Sequence, residues 1–532
     1  MDPFDTGLRP AHQYAPVSEP WWKRFVAPLL VVLVIGGIVA VVARAQPSNH
    51  SSHPDTWDAR VADLATFVAD TRELAWAHPV YVDFLPEAEF IALFDAPQQT
   101  GITYPGLDEF ARTLDSQRSA VFNAKGLAVE YDQAEAQTTV QVITTLGLYS
   151  PDTDRIYVRG DDLTPAVRVV LAHELTHALQ AQHFDLKAER PNDLEFRAIV
   201  EADALRVENV YRDTLSSAEQ QQADTGNTLT DEAQADLSDV PWAVLDLSYA
   251  PYVLGPNLVN DVFAARGNAG VDRLISAPPT EEILLNPWLF GTTQPIPTVI
   301  LTPPAGSIAI DYTQQLSPVE MLTILDAGLP FGQARAALDG WGAGSYASYQ
   351  TTDNRICFSV KVVFDDDAAA TRFGDAVKEW SYAVGSNVFP QVTGDTVEFE
   401  ACDRGTNATP TPTPVISPML ALTIEHDAIG LAGDSPTPEQ LAGYRCFAAT
   451  VIDDRSWPRC SRRSRSSPPA SKHSSPCGPM PRPRRAGCHP STADPPTTPA
   501  HPVTTVRHRM VLSTCRSSDQ ISCAVTSHVM VS

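Results

Sequence analysis

Hydrophobic and polar residues follow different patterns along the chain, and the longest apolar run lies near its start. Residues 25–43 are almost all apolar, close to the roughly 20 positions that a helix needs to cross a bilayer. Two tryptophans and two basic residues, Trp21–Arg24, flank this run on its N-terminal side. This arrangement predicts one transmembrane helix, with residues 1–24 in the cytoplasm and the rest of the chain outside the plasma membrane. The alternative is a cleaved signal peptide, because Ala43–Ala45 has small residues at the positions of a cleavage site, although such peptides have shorter apolar cores.

Further along the chain, helical spacing of apolar residues alternates with strand-like runs. Thr164 and Pro165 are typical of a helix start, so we expect a helix from there to about His183. Other helices are predicted within 57–114, 194–215, 242–290 (with breaks at its prolines) and 366–384. Predicted strands occupy 140–149, 155–158, 356–364 and 396–401, and residues 216–240 are expected to form a polar loop.

Together these elements predict an α+β protein, in which a mainly helical domain with a small sheet precedes a small α+β domain. The predicted segments are a cytoplasmic N-terminus (1–24), a transmembrane helix (25–43), the large domain (57–335), the small domain (336–407), a linker with a partial C-terminal element (408–456) and a tail (457–532). Cys357 and Cys402 lie near the two ends of the small domain. In an exported protein we expect them to form a disulfide; two buried free thiols are the alternative.

Charge separates the tail from the rest of the chain. The formal net charge of −26 argues against nucleic acid as a partner, because a phosphate backbone attracts a basic protein face. From residue 457 onward the balance reverses, with eleven Lys and Arg against two Asp and Glu, and with five of the eight cysteines. We expect this tail to be disordered or to come from a shifted reading frame; a natural basic tail is the alternative.

The motif that carries chemistry is His173-Glu174-Leu175-Thr176-His177, inside the helix predicted from Thr164. Positions i and i+4 of a helix share a face, so the two imidazoles can bind one Zn²⁺. Glu174 is offset by one residue, which places its carboxylate beside the metal, where a general base takes a proton from the attacking water. The alternative is that these side chains lie on a solvated helix face.

A catalytic zinc needs a third protein ligand and one open position. Glu201 lies on the next predicted helix among apolar neighbours, where a carboxylate without a partner is unusual. His183 stands ten residues after His173, which is the spacing of metzincin ligands, but Gln180 occupies the position at which those enzymes need glycine. The residues alone therefore leave Glu201 and His183 as candidates.

Four segments resemble a group of bacterial membrane-anchored zinc metallopeptidases of the gluzincin type, and the resemblance spans roughly residues 150–405. The segments are His173–Leu186, Val200–Ala204, Ala250–Pro256 and Pro278–Pro287. The resemblance implies a zincin-like fold, Zn²⁺ as the cofactor, and a site made of His173, His177 and Glu201 as ligands with Glu174 as the base. Thermolysin-like gluzincins also support a ligand histidine with an Asp four residues after the ligand Glu; here Leu205 has that position, and Asp203 is near it.

The predicted function is that of a membrane-anchored, extracytoplasmic zinc metalloendopeptidase, which hydrolyses peptide or protein substrates with a zinc-activated water. Tyr249 and Tyr252 are candidate donors to the transition-state oxyanion, or else core tyrosines in a bend. The alternative function is a cell-surface binding or scaffold protein with the same fold and little turnover, and a non-proteolytic zinc hydrolase would share the same ligands. The oligomeric state is not predicted.

Overall fold

A computed structural model shows an α+β protein, as the sequence predicts. The structure describes residues 53–94, 107–128, 131–188, 194–226, 230–280, 282–290, 299–406 and 417–430, and the single positions 297, 408, 409, 414, 437, 441, 443 and 445. All of these belong to one compact unit that ends at Ala449. The predicted transmembrane run 25–43 and the tail 457–532 lie outside the described residues. Among the helices that are described, none has the length and apolarity needed to cross a membrane.

Helices make up most of the described structure. Their bounds are α1 (Ala62–Arg72), α2 (Glu87–Ile91), α3 (Leu107–Ala124), α4 (Gln133–Thr144), α5 (Pro165–His183), α6 (Leu194–Thr214), α7 (Ser217–Gly226), α8 (Asp231–Asp239), α9 (Trp242–Ser276), α10 (Glu282–Leu285), α11 (Pro318–Asp326), α12 (Phe331–Ala337), α13 (Asp367–Val384) and α14 (Pro418–Gly430). A short 3₁₀ helix spans Pro287–Leu289. Helix α5 begins where the sequence predicts, because the Thr164 hydroxyl accepts a hydrogen bond from the Val167 N–H and Pro165 occupies the first turn.

The strands form two sheets. Their bounds are β1 (Tyr81–Leu85), β2 (Gly147–Ser150), β3 (Arg155–Arg159), β4 (Ile308–Gln315), β5 (Trp341–Gln350), β6 (Ile356–Phe364), β7 (Gln391–Thr393) and β8 (Thr396–Cys402). In the three-stranded sheet, β3 lies between β1, which runs parallel to it, and β2, which runs antiparallel. The second sheet is antiparallel, in the order β4-β5-β6-β8-β7. Strand β2 is therefore an edge strand of the small sheet.

Helix α5 is the centre of the core around the small sheet. Its apolar residues Leu171, Leu175 and Leu179 are fully buried and share a cluster with residues of α1 and of the three-stranded sheet. Each such leucine contributes roughly 1.5–3 kcal/mol relative to an exposed position. The helix that carries the histidine motif is thus held on several sides, which fixes the direction in which its polar side chains project.

The cysteine pair cross-links two neighbouring strands of the second sheet, and a buried ion pair holds helix α14. Cys357 and Cys402 face each other on β6 and β8 and form a disulfide, as the sequence predicts. Helix α14 is tied to the body by a buried ion pair, in which the Arg335 Nη2 lies 3.2 Å from the Glu425 Oε1. Both side chains are about 1% exposed, and each also forms an ion pair with a further partner, so both buried charges are compensated.

One prediction about local structure near the motif helix is wrong, and four strands of the two sheets were missed. Residues Gln133–Thr144 form α4, so the strand that was expected from Val140 begins only at Gly147. The Asp132 carboxylate accepts a hydrogen bond from the Glu135 N–H and caps α4, and a short apolar run does not by itself distinguish a helix from a strand. Strands β1, β4, β5 and β7 were not predicted.

Two further predictions fail on the other side of α6. The expected polar loop 216–240 contains α7 and α8, whose sequences are polar because most of their surface faces solvent. Helix α9 continues through Pro251 and Pro256, and departs from helical dihedral angles only at Gly267, where φ is +63°. Tertiary packing along α9 outweighs the local cost of the two prolines.

The partly buried carboxyl of Glu282 predicts a pH-dependent stability. Burial raises its pKa to about 7, against the effect of a hydrogen bond from Asn286. A raised folded-state pKa means that this group stabilises the fold fully below its unfolded pKa near 4.5, and that the contribution is lost as pH rises through 7. Glu282→Gln should therefore raise the free energy of unfolding at pH 8 by roughly 2–3 kcal/mol, and by much less at pH 5.

Urea titrations of both proteins at the two pH values would measure this. The exposed carboxyl of Glu73 provides the control, and Glu73→Gln should change the free energy of unfolding little at either pH. A gain for Glu282→Gln that is equal at pH 5 and pH 8 would contradict the account.

Candidate metal centre

Helices α5 and α6 bring together the three residues that the resemblance implies as metal ligands. The Nε2 atoms of His173 and His177 lie 3.0 Å apart. The Oε2 atom of Glu201 lies 3.1 Å from the first and 3.2 Å from the second. Within the described part of the chain, His173, His177 and Glu201 form one of the two groups whose donor atoms could hold a metal; the other contains the disulfide cysteines.

A carboxylate fixes the orientation of the first histidine. The Oε2 atom of Glu208 lies 3.0 Å from the Nδ1 atom of His173. Because an ionised carboxylate only accepts hydrogen bonds, the proton of the neutral imidazole is placed on Nδ1. The lone pair of Nε2 is then free to face Glu201.

An amide fixes the orientation of the second histidine. The Gln180 Nε2 donates to two acceptors, the Asp203 carboxylate at 2.9 Å and the Val200 carbonyl oxygen at 3.1 Å. Its two N–H groups are thereby used, so the Gln180 Oε1, at 2.9 Å, accepts a hydrogen bond from the His177 Nδ1. The Nε2 lone pair of His177 consequently faces the same point as that of His173.

The carboxylate behind Gln180 is itself held by two buried arginines. The Arg72 Nε lies 2.8 Å from one oxygen of Asp203, and the Arg206 Nη2 lies 2.9 Å from the other. Arg72 also donates to Asn268 at 3.0 Å and pairs with Asp272 at 2.6 Å. These contacts connect α1 and α9 to the histidine on α5, and each buried charge has a partner of opposite sign.

The charges around the three donors favour a cation. Burial would lower the pKa of both imidazoles, but hydrogen bonds and charges of nearby carboxylates outweigh it, so the pKa of His177 is raised and that of His173 lies well above its ordinary value. Burial would likewise raise the pKa of Glu201, but the two histidines hold it below its ordinary value. Positive charge at this point is therefore stabilised by the surrounding side chains.

The separations of the donors also fit a small cation. Bonds of 2.0–2.1 Å to a tetrahedral Zn²⁺ place its ligand atoms about 3.3 Å apart. The separations here are 3.0, 3.1 and 3.2 Å. Two nitrogens and one carboxylate oxygen also match the donor types that zinc accepts.

Glu174 is held beside the three donors by the edge strand. Its Oε2 atom accepts a hydrogen bond of 2.7 Å from the Tyr149 N–H on β2. The close approach of β2 requires glycine at position 147, because a Cβ there would lie 2.7 Å from Val170 and 3.1 Å from Glu174. Burial raises the pKa of Glu174, against the charges of the two histidines. The carboxylate thus stands next to the donors without joining them.

Helix α9 brings one of the two candidate tyrosines to the site. A Cβ at Gly255 would lie 1.9 Å from the Ala198 carbonyl oxygen, so only glycine permits α9 to cross α6 this closely. Tyr252 lies close enough to Glu201 for that carboxylate to act on its hydroxyl, whose pKa is raised well above the ordinary value, first by burial and then by the charge of Glu201. Among the described residues, Tyr249 forms no hydrogen bond with this group.

His183, the other candidate for the third ligand, is not brought to the site. Its Nε2 atom donates to the Ala75 carbonyl oxygen at 2.8 Å, at the end of α5. The helix continues without a turn through Gln180, and this sends His183 to a different face from His173.

Several supporting residues around the site were not predicted from the sequence. Glu208 follows Glu201 by two helical turns, so its place on the same face could have been predicted from the spacing. Gln180 stands three residues after His177, and glutamine at such a position does not by itself indicate a hydrogen bond to the ring. The role of Arg72 could not be predicted, because Arg72 lies far from the motif in sequence. A backbone donor such as the Tyr149 N–H cannot be predicted from residue identity, since every residue except proline has one.

No protein-family model, curated protein or solved structure matches this chain. The candidate metal centre therefore rests on the distances and charges described above.

The ligand assignment predicts which substitutions remove the metal. His177→Ala and Glu201→Ala should each weaken zinc binding more than 100-fold, because each removes one of three donors. His183→Ala is the matched control and should change the dissociation constant less than about threefold. Competition with a chromophoric chelator would measure the constants. Loss of zinc from His183→Ala with retention in Glu201→Ala would establish a metzincin-like ligand set instead.

The supporting carboxylate predicts a smaller effect. Glu208→Ala should weaken zinc binding about 10- to 100-fold, because the His173 ring loses the acceptor that fixes its Nδ1 proton. Asp213→Ala removes the same charge from an exposed position on the same helix and serves as the control. If both variants weakened binding equally, the effect of Glu208 would be one of net charge and not of ring orientation.

Proposed function

We propose that this chain is a membrane-anchored, extracytoplasmic zinc metalloendopeptidase with a zincin-like domain. The observation that carries the proposal is the group of His173, His177 and Glu201, with the carboxylate of Glu174 held beside it. In peptide hydrolysis a general base must stand next to the metal and must not occupy its coordination sphere. The hydrogen bond from β2 keeps Glu174 in that relation to the donors.

In this proposal His173, His177 and Glu201 hold the metal, and other side chains of the site have separate roles in the reaction. Bound Zn²⁺ would supply Lewis-acid polarisation of the scissile carbonyl and of the attacking water. Glu174 accepts the proton of that water and passes it to the leaving amine. Its buried setting, which disfavours the ionised form, makes the carboxylate a stronger base. Tyr252 stands beside Glu201 and is the candidate donor to the developing oxyanion.

Two further observations support export of the catalytic part. The Cys357–Cys402 disulfide is typical of proteins that fold in an oxidising compartment. The apolar run 25–43, with its basic N-terminal flank, is expected to anchor the chain and to leave the following residues on the outer side of the plasma membrane. A peptide or protein at that face is the proposed substrate.

The proposal predicts that a substitution of the general base removes activity without removing the metal. Glu174→Gln preserves the acceptor for the Tyr149 N–H and removes only the basic oxygen, so the variant should keep its zinc while kcat/KM falls about 10²- to 10⁴-fold. The measurement uses zinc-loaded, full-length protein in detergent with a set of fluorogenic peptides. Asp213→Asn provides the control and should retain activity. Zinc-dependent hydrolysis that is unchanged in Glu174→Gln would refute the assigned base, whereas zinc binding without any hydrolysis by the unaltered protein would favour the binding-protein alternative.

A further inference from the structure

One arginine on the helices that build the candidate site differs from the others. Helices α5 and α6 carry four arginines, and three of them form ion pairs with N–O distances of 2.7, 2.9 and 2.7 Å: Arg168 with Glu219, Arg206 with Asp203, and Arg212 with Asp224. The fourth, Arg197, is exposed. Among the described residues no carboxylate forms an ion pair with it, so its guanidinium is available to a ligand.

The position of Arg197 places this cation at the edge of the site. It precedes Glu201 by four residues on α6, so the two side chains lie on one helix face with Cβ atoms about 5–6 Å apart. Burial and the charge of Glu201 raise the pKa of the Tyr252 hydroxyl, and the positive charge of Arg197 opposes them, so both charged side chains lie near that hydroxyl. Arg197 and Glu201 therefore share one face of α6, close to Tyr252.

The net charge of the site indicates why a cation at its edge would matter for substrate binding. Three carboxylates, from Glu174, Glu201 and Glu208, lie around the two imidazoles. With one divalent metal the group still carries a net charge of about −1, on a chain whose net charge is −26. An anionic substrate would be repelled unless a cation stood close to the point of attack.

We propose that Arg197 binds a carboxylate of the peptide substrate and so selects peptides with an acidic group close to the scissile bond. This inference rests on the proposed peptidase function. A guanidinium binds a carboxylate through two parallel hydrogen bonds, which gives direction as well as charge. An extended peptide rises about 3.3–3.6 Å per residue, so the side-chain length of Arg197 limits the carboxylate to within about three residues of the cleaved bond. That group is either an Asp or Glu side chain or the C-terminal carboxylate.

Peptide series would distinguish the two sources. The first series moves a single Glu through the three positions on each side of the cleaved bond and compares each peptide with its Gln counterpart. The second compares a free C-terminal acid with the C-terminal amide. In the zinc-loaded, full-length protein, one acidic position should raise kcat/KM about 10- to 100-fold over the neutral counterpart.

Substitution of Arg197 tests whether it causes this preference. In Arg197→Ala the ratio of kcat/KM for the acidic over the neutral peptide should fall to about one, and in Arg197→Glu it should fall below one, with a Lys-containing peptide now preferred. Arg197→Lys should recover part of the ratio. Lys378→Ala, which removes an exposed positive charge on α13, is the control and should leave the ratio unchanged.

A binding measurement separates failure of this inference from failure of the proposed function. Peptide hydroxamates, which bind zinc through their own chelating group, are compared in acidic and amide forms by calorimetry with the unaltered protein and with Arg197→Ala. A preference for the acid that Arg197→Ala abolishes supports the proposal. Hydrolysis with equal preference in both proteins, or with no preference, overturns the role of Arg197 and leaves the peptidase intact. If the unaltered protein showed no hydrolysis and no hydroxamate binding, both the proposed function and the role of Arg197 would be overturned.

Discussion

Three lone pairs directed at one point are the constraint on which the site depends. The Nε2 atoms of His173 and His177 and the Oε2 atom of Glu201 approach one another to within about 3 Å, although the Nδ1 protons of both imidazoles are already used in other hydrogen bonds. Electron pairs at such distances repel unless a positive charge lies between them. The fold holds them there, which is the arrangement that a bound cation needs.

What holds them is a buried polar network that extends well beyond the motif helix. Arg72 and Arg206 carry two positive charges, and Asp203 and Asp272 carry two negative charges, so the network is balanced in itself. Removing one member would leave a buried charge without compensation, which commonly costs 3–5 kcal/mol. The same contacts join α1, α6 and α9 behind the histidines. Gln180 connects this network to His177, because it hydrogen-bonds to both Asp203 and the His177 ring. The stability of the large helical part and the orientation of the histidine rings therefore depend on the same side chains.

The sequence predicted most where the determinants are local. A capping threonine and a proline locate α5, the i and i+4 spacing places His173 and His177 on one face, and the Cys357–Cys402 pair is confirmed. Predictions failed where packing decides: α9 continues through two prolines because Gly255 lets it press on α6, and residues 140–144 are helical although their composition suits a strand. Distances between helices cannot be obtained from spacing, so the residues alone did not distinguish Glu201 from His183; in the structure Glu201, and not His183, lies beside the two histidines.

The most direct test of the account is anomalous X-ray diffraction from crystals of the zinc-loaded protein, recorded above and below the zinc absorption edge. We expect a single strong anomalous peak between the Nε2 atoms of His173 and His177 and the carboxylate of Glu201, with Glu174 beside it and outside bonding distance. A peak elsewhere, a peak that involves His183 in place of Glu201, or the absence of any peak at saturating zinc would contradict it.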